Sequence, residues 1–255
     1  MATRRRKKKK GYLSLFLLAA IIAASVFTYY MLLEGRSGFA HYPAFGIAIP
    51  EEYSIHGIDV SKYQQRIAWD EVKAMQVKEV RIDFVFIKAT EGIGKTDIHF
   101  FRNWKKSKQA GLTRGAYHYF LPTKDGRAQA ENFIHTVDLD SGDLPPVVDI
   151  EQTYGVSITA LKDELKEWLT VVENYYRVKP IIYTNVDFYK HCLGKEFDSY
   201  PLWAAHYFEK KAPRLTRNWL FWQHSEEGRV NGILSQVDFN VFSGDSTDFR
   251  NLLVD

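Results

Sequence analysis

Two carboxylates separated by one apolar residue, Asp149 and Glu151, follow a short apolar run that begins after Pro145-Pro146. The β-branched residues of this run predict a buried strand. Because side chains at positions i and i+2 of a strand point to the same side, the two carboxyls should face one space, with β-carbons about 6.5–7 Å apart. Glycoside hydrolysis needs such a pair, since one carboxyl gives a proton while the other stays charged. An ordinary strand end, whose acids cap a helix or face water, is the alternative interpretation.

The composition is that of a globular protein with a sizeable core, because 45% of the 255 residues are hydrophobic and 15% are aromatic. The formal net charge is +3, but residues 4–10 alone carry seven positive charges. The rest of the chain is therefore mildly acidic, which argues against a nucleic-acid-binding surface. The single cysteine, Cys192, excludes an intrachain disulfide and a cysteine-rich metal site.

Residues 11–33 contain no charged side chain and follow the basic residues 1–10. As a helix they would span about 34 Å, enough to cross a bilayer core. Cations remain on the cytoplasmic side, so we predict a cytoplasmic tail, a transmembrane signal-anchor, and a body outside the cytoplasm, on the periplasmic or cell-wall side of the cell membrane. A cleaved signal peptide with a site near Ile22-Ala23-Ala24-Ser25 is the alternative. Glycines and prolines in residues 34–53 predict a linker.

Residues 54–255 alternate between short apolar segments and more polar, helix-like segments. Predicted strands are Ile55–Val60, Phe84–Ala89, Arg114–Phe120, Val147–Ile150, Pro180–Tyr183, Leu202–Ala205, Leu220–Gln223 and Gln236–Val241. Predicted helices are Ala68–Met75, Ile98–Ala110, Gly126–His135 and Ser157–Tyr176. This alternation favours parallel βαβ units and an α/β fold. Because the last strands leave little room for helices, we predict an irregular TIM-like (β/α)5(β)3 barrel with antiparallel closing strands.

Catalytic groups of such barrels gather at the carboxyl ends of the strands. The residues near these ends are acids, flat aromatic rings and one amide: Asp59, Glu91, Tyr117, Tyr119, Asp149, Glu151, Tyr183, Trp203, Trp222, Gln223 and Asp238. Aromatic faces stack on the apolar faces of sugars, and acids bind hydroxyls and carry the chemistry. The pattern therefore predicts a cleft for a sugar polymer.

Eight short motifs, in order, resemble the family-25 glycoside hydrolases, the Chalaropsis-type lysozymes, over residues 55–244. They are Gly57-Ile58-Asp59-Val60-Ser61 with Tyr63-Gln64, Ile87-Lys88-Ala89-Thr90-Glu91-Gly92, Gly115-Ala116-Tyr117-His118-Tyr119, Asp149-Ile150-Glu151, Pro180-Ile181-Ile182-Tyr183, Leu202-Trp203-Ala204-Ala205, Trp222-Gln223 and Val237-Asp238-Phe239-Asn240. The resemblance implies an irregular (β/α) barrel. It also implies hydrolysis of the β-1,4 bond between N-acetylmuramic acid and N-acetylglucosamine in peptidoglycan strands, without a cofactor.

The resemblance implies that Glu151 donates the proton, and that Asp149 stabilises the cationic sugar carbon directly or through the substrate's N-acetyl group. Asp59 and Asp238 are implied as further acids of the site. Substrate contacts are expected from Tyr63, Glu91, Tyr117, Tyr119, Tyr183, Trp203, Trp222 and Gln223. The strand spacing of the acid pair exceeds the roughly 5–5.5 Å of a retaining nucleophile pair. This favours the N-acetyl group as the internal nucleophile, unless a bulge at the strand end closes the gap.

Three other classes compete with this interpretation. A membrane-tethered wall-binding module without catalysis would keep the aromatic cleft but need not keep the acids. A hydrolase of another N-acetylated glycan, such as chitin, would share the same motifs. A metal enzyme would use His118, His206 and His224, although no helical histidine pair or cysteine cluster supports one. The chain also departs from the family pattern at Gln65, Ala68 and His224.

Overall fold

The computed structural model describes residues 16, 18–26, 38–209 and 211–255. Residues 18–26 are helical, and the chain divides by its contacts into Met1–Phe39 and Ala40–Asp255. No helix within the described residues is long and apolar enough to cross a membrane. The predicted cytoplasmic tail 1–10 lies outside the described residues, as does most of the predicted membrane anchor 11–33.

Twelve strands and five helices account for most of the regular structure described in residues 38–255. The strands are β1 (Phe39–Tyr42), β2 (Ile47–Pro50), β3 (His56–Val60), β4 (Gln76–Val77), β5 (Val80–Glu91), β6 (Lys95–Thr96), β7 (Thr113–Tyr119), β8 (Val147–Asp149), β9 (Ile181–Asn185), β10 (Leu202–Ala205), β11 (Phe221–Gly228) and β12 (Val237–Phe242). The helices are α1 (Trp69–Ala74), α2 (Phe100–Gln109), α3 (Gly126–Thr136), α4 (Ile158–Tyr176) and α5 (Ser246–Leu252).

Eight of these strands close into a barrel in the order β3-β5-β7-β8-β9-β10-β11-β12, with β12 pairing back to β3. All neighbouring pairs from β3 to β11 are parallel, and β12 is antiparallel to both β11 and β3. The predicted α/β barrel is therefore confirmed. We expected several antiparallel closing strands, but among these eight strands only β12 is antiparallel to its neighbours. β11 is parallel to β10, because the loop between them is long enough to return the chain to the other end of the barrel.

The barrel strands alternate between two apolar layers, as their pleat requires. Along β8 and the residues that follow it, Val147 faces the barrel interior, whereas Val148 and Ile150 join the outer layer that the helices cover. Asp149 and Glu151 therefore share the inward side. The outer layer includes the apolar stripe of α4, where Leu161, Leu165, Trp168, Leu169 and Val172 are all fully buried.

Large aromatic rings fill the barrel interior below the site. The rings of Phe86 and Trp203 stack with centroids 4.4 Å apart, and Phe84 lies 5.1 Å from Phe221. Glycines on the neighbouring strands make room for them, because a β-carbon at Gly57 would come within 2.4 Å of the Phe84 ring and one at Gly115 within 2.6 Å of the Phe86 ring. This packed floor gives the acids above it a rigid support.

The predicted linker 34–53 is ordered for much of its length, which sequence analysis did not foresee. Residues 39–50 form the hairpin β1–β2, in which Tyr42, Phe45, Ile47 and Ile49 are buried. The ring of Phe45 lies 5.2 Å from that of Phe239 on β12, edge to face. Pro43 and Gly46 lie in the turn of this hairpin, and its apolar residues pack against the barrel.

Three buried histidines predict an acid-labile domain. Burial lowers the pKa of His56 to about 4 and the pKa values of His118 and His224 to about 3. In the unfolded chain the same groups take up a proton near pH 6.5. Below that pH the unfolded state binds more protons than the folded state, so stability falls as the pH falls from about 6.5 towards about 4.

The variant His224→Phe tests this expectation, because phenylalanine keeps an aromatic ring between Trp222 and Phe239. The free energy of unfolding of the wild type should fall relative to that of the variant by about 1.4 kcal/mol per pH unit below pH ~6.5. Urea titrations at several pH values from 7.5 to 4.5 measure the difference. Parallel pH curves for the two proteins would contradict a neutral buried His224.

Candidate active site

The side chains of the candidate site come from one row of the barrel. Strand register aligns Tyr119 with Asp149, Asp149 with Tyr183, and Tyr183 with Trp203 across four adjacent parallel strands. Because parallel strands in register present equivalent residues at the same height and side, these four side chains meet at the carboxyl end of the barrel. Trp203 forms the floor of this row, with its ring 4.5 Å from that of Tyr183.

Asp238 reaches the same end by a different route. It is the second residue of β12, and it lies opposite Asp59 in the antiparallel pair β12–β3. The reversed direction of β12 thus brings the beginning of that strand to the carboxyl ends of the others. Sequence analysis treated Asp238 as one of the strand-end acids, and the structure shows that strand reversal is the reason it belongs there.

Two adjoining compartments form the cleft. The main compartment, about 360 Å³, is lined by Asp59, Tyr117, Asp149, Glu151, Tyr183, Trp203, Tyr207, Gln223, Glu226 and Asp238. The side compartment, about 200 Å³, is lined by Asp59, Val60, Ser61, Tyr63, Gln64, Lys88, Tyr117, Tyr119, Asp149 and Asp238. Asp59, Tyr117, Asp149 and Asp238 belong to both. The four predicted catalytic acids therefore converge on one groove, together with six of the eight predicted substrate-contacting residues.

Asp59 is held as a hydrogen-bond acceptor. The amides of Gln223 and Asn240 both donate to its Oδ2, each at 2.8 Å. The Gln223 amide is itself oriented by the hydroxyls of Tyr183 and Tyr207, which donate to its Oε1. The indole of Trp203 likewise donates to Asn240 Oδ1 at 2.8 Å. These hydrogen bonds fix the orientation of both side-chain amides, so that each presents an N–H donor to Asp59. Two such donors favour the ionised form of Asp59.

Asp238 is the protonated member of the pair that it forms with Asp59. Burial raises the pKa of Asp238 to about 9, and the neighbouring charge of Asp59 acts in the same direction. Burial also raises the pKa of Asp59, but hydrogen bonds from Asn240, Gln223 and Asp238 oppose the increase. Near neutral pH, Asp238 therefore carries the proton and donates it to Asp59.

Asp149 and Glu151 differ in exposure. Asp149 is 8% exposed, and its Oδ1 accepts no hydrogen bond from any described residue, whereas Glu151 is only partly buried. Burial raises the pKa of Asp149 well above its ordinary value, and the charge of Glu151 adds to this increase. Burial also raises the pKa of Glu151, while the nearby Tyr183 side chain opposes the increase. The charge of either carboxyl thus disfavours ionisation of the other, and Glu151 is the more accessible member of the pair.

Glu91, predicted to contact substrate, does not line either compartment. Its carboxylate binds the ammonium groups of Lys88 and Lys95 at 2.8 and 3.1 Å. The hydrogen bond from Lys88 lowers the pKa of Glu91. Glu91 therefore positions Lys88, whose Nζ lies 4.5 Å from the Tyr119 ring centroid and whose charge opposes the rise in the pKa of Asp149.

Trp222, also predicted to contact substrate, is fully buried on the outer side of β11. Its indole nitrogen donates to the carbonyl of His206, and its ring packs near Tyr53 and Trp219. The substrate-binding role predicted for Trp222 is therefore corrected to a packing role. The alternation of side chains along a strand already indicated that only one of the two neighbours, Trp222 and Gln223, can face the groove.

The structure adds residues that sequence analysis did not select. Tyr207 and Glu226 line the main compartment, and Gln64 and Lys88 line the side compartment. Asn240 holds Asp59 from below. Gln64, Lys88 and Asn240 stand inside the quoted motifs, so their positions beside acids were available signals. Tyr207 and Glu226 lie beyond the predicted strand ends, where the sequence alone does not predict which way a side chain faces.

The three histidines considered as metal ligands do not lie together in one cluster. The imidazole of His118 is buried between Thr90 Oγ1, at 2.7 Å, and Gln129 Oε1, at 3.2 Å. His206 pairs with Glu209 in a loop after β10, and His224 packs against the rings of Trp222 and Phe239. Across the described part of the chain, no group of three or more His, Cys, Asp or Glu residues has the arrangement of a metal site.

An α/β barrel with paired carboxyls, further acids and aromatic walls at the carboxyl ends of its strands has the architecture of a barrel glycoside hydrolase. Residues 58–233 match the family description "Glycosyl hydrolases family 25". The chain therefore belongs to glycosyl hydrolase family 25 and is a glycoside hydrolase.

Individual relatives agree with this assignment. The chain is 45% identical over 207 residues to the uncharacterized protein YegX of Escherichia coli, a match that covers 81% of this chain and 76% of that protein. It is 34% identical over 209 residues to lysozyme M1 of Streptomyces globisporus, covering 74% and 68% of the two chains. The solved family 25 glycosyl hydrolase of Bacillus anthracis superposes with a TM-score of 0.73 at 30% identity, over 83% of this chain and 99% of that one.

Substitutions of Asp59 and Asp238 should lower kcat/KM to different extents. Asp238→Asn should lower kcat/KM less than about tenfold, because the amide can still donate a hydrogen bond to Asp59. Asp59→Asn should lower kcat/KM by about 100-fold, because the variant removes a negative charge that faces the reacting sugar. Initial rates of reducing-end release from peptidoglycan measure both values. Equal losses in the two variants would contradict the assignment of the proton to Asp238.

Proposed function

We propose that this enzyme hydrolyses the β-1,4 bond between N-acetylmuramic acid and N-acetylglucosamine in peptidoglycan. The observation that carries the proposal is the convergence of Asp59, Asp149, Glu151 and Asp238 on one groove of a family 25 barrel. The names of relatives support the substrate, since they include lysozyme M1 and an autolytic lysozyme of Clostridium acetobutylicum. Intact acids also distinguish the chain from a wall-binding module that has lost catalysis.

Glu151 is proposed as the general acid. It lines the main compartment and is partly exposed, so a glycosidic oxygen can approach its carboxyl. Burial and the charges of Asp59 and Glu226 raise its pKa, which favours the protonated form that a general acid needs. Proton transfer to the leaving oxygen breaks the glycosidic bond as positive charge develops at the sugar carbon. The ionised Asp59 and the paired Asp149 stabilise that charge.

Asp149 is proposed to act through the substrate's own N-acetyl group. Its buried Oδ1 accepts no hydrogen bond from the described residues, and it needs a donor to offset the cost of burial. The N–H of the N-acetyl group on the muramic acid is a suitable donor at this position. Held there, the acetyl oxygen attacks the sugar carbon as the leaving oxygen departs, and water then opens the resulting ring.

Mass analysis of the fragments released from purified peptidoglycan tests the bond and the sugar together. The expected products are muropeptides with N-acetylmuramic acid at the reducing end. Fragments that end in N-acetylglucosamine would assign the other bond. Release of chito-oligomers from chitin, with none from peptidoglycan, would instead favour a hydrolase of another N-acetylated glycan.

We also propose that residues 11–33 anchor the enzyme in the cell membrane, with residues 1–10 in the cytoplasm and the barrel outside it. The absence of charged residues from 11–33, and the seven cations before them, support this orientation. Full-length protein should remain with membranes after a carbonate wash, and protease added outside should digest the barrel. A mature N-terminus near Ser25, found by mass spectrometry, would replace the anchor with a cleaved signal peptide.

A further inference from the structure

Phe208 combines two unfavourable features beside the cleft. Its side chain is 90% exposed, and its backbone has φ +60°, in the left-handed region that bulky side chains rarely adopt. Left-handed backbone is unfavourable for a residue other than glycine, because the β-carbon comes too close to the following carbonyl oxygen. An exposed phenylalanine also forgoes the stabilisation that burial would give it. Neither feature serves the packing of the domain.

The neighbours of Phe208 hold it in this conformation. Tyr207 lines the main compartment, and its hydroxyl donates to Gln223 Oε1 in the network around Asp59. On the other side, Glu209 binds His206 at 3.2 Å and Arg214 at 2.9 Å. The residues on both sides of Phe208 are thus fixed by polar contacts, so the strained turn between them is imposed by the structure.

The position of Phe208 connects it to the catalytic groove. It is the next residue after Tyr207, a wall residue of the main compartment, so its Cα lies about 3.8 Å from that of the wall residue. Tyr154 has the same combination on another loop at this end, with φ +48° and 45% exposure. The Tyr154 hydroxyl bonds that of Tyr119, a wall residue of the side compartment, at 2.8 Å. Strained, exposed aromatic residues thus adjoin both compartments.

We propose that Phe208 is a substrate-binding residue whose ring stacks on a sugar of the glycan strand beyond the two that contact the acids. This inference rests on the proposed function, because an aromatic platform of this kind needs a glycan partner. It predicts that the enzyme prefers long strands to short oligosaccharides, since only long strands reach the ring. Aromatic stacking on a flat apolar face accounts for the stabilisation.

The test compares Phe208→Ala, Phe208→Trp and Phe208→Gly with Leu234→Ala, a control that truncates a 98% exposed side chain lining neither compartment. For long glycan strands, Phe208→Ala and Phe208→Gly should lower kcat/KM about tenfold. Phe208→Trp and Leu234→Ala should stay within about twofold of the wild type. For the shortest cleaved oligosaccharide all four variants should match the wild type. Phe208→Gly should melt at a higher temperature than the wild type, because glycine removes the backbone strain.

Equal activity of Phe208→Ala and wild type on long strands would overturn the proposal and leave Phe208 as a strained surface residue. Co-sedimentation with insoluble peptidoglycan in the Glu151→Gln background separates this result from failure of the proposed chemistry. There, Phe208→Ala should weaken binding several-fold even though no bond is cleaved. A wild type that binds peptidoglycan through Phe208 but releases no reducing ends would uphold the platform and reject the hydrolase function. Unchanged binding in the Phe208→Ala variant would reject the platform alone.

Discussion

Glu151→Gln is expected to lower kcat on peptidoglycan by more than about 10³-fold, because the amide cannot donate a proton to the departing oxygen. The variant keeps the size of the side chain and its contact with the Tyr183 hydroxyl. It also removes a carboxyl whose pKa is raised by burial, so the fold should be at least as stable as that of the wild type. Initial rates of reducing-end release, measured beside melting temperatures, separate loss of chemistry from loss of fold.

Two control variants, at Glu91 and at the surface residue Glu227, make this result specific. Glu91→Gln should retain activity within about tenfold, because Glu91 is bound to Lys88 and Lys95 and does not line the groove. Glu227→Gln, an exposed position next to Glu226, should leave activity unchanged. Near-normal turnover of the Glu151→Gln variant would remove Glu151 from the role of acid. A severe loss in Glu91→Gln alone would transfer that role to Glu91.

Asp149→Asn should lower kcat/KM by about 10³-fold, since in the proposed mechanism the buried carboxylate stabilises charge at the sugar carbon and orients the N-acetyl group. Its melting temperature should rise, because burial and the neighbouring charge of Glu151 raise the pKa of Asp149 and make its ionised form costly. The folded-state pKa of Asp149 lies above its unfolded value, so the free energy of unfolding falls as the pH rises above the unfolded pKa. Asparagine does not titrate and removes that loss.

A thermodynamic cycle distinguishes the two roles open to Asp149. The wild type and Asp149→Asn are each assayed on glycan strands with and without the N-acetyl group of the muramic acid. If Asp149 acts through that group, its removal should slow the wild type strongly and slow Asp149→Asn little further. Multiplicative losses would show that the two act independently. A covalent sugar ester trapped on Asp149 would replace the N-acetyl mechanism with a direct nucleophile.

Local periodicity in the sequence was enough to predict several elements. Alternation around Asp149 and Glu151 assigned both acids to one side, and the predicted helix Ser157–Tyr176 matches α4. All eight barrel strands appear within a few residues of their predicted ranges. Such patterns are local, because the pleat and the helical turn repeat over two to four residues, so the chain displays them without its neighbours.

Which of several similar residues reach the groove depends on long-range contacts that the sequence does not display. Trp203 and Trp222 both follow apolar runs, yet one forms the floor of the cleft and the other is buried behind β11. Asp238 meets Asp59 because β12 runs antiparallel, and Tyr207, which follows the end of β10, is held at the groove by its hydrogen bond to Gln223 on β11. The side a residue faces depends on pairing with distant strands, and that register is fixed by contacts remote in sequence.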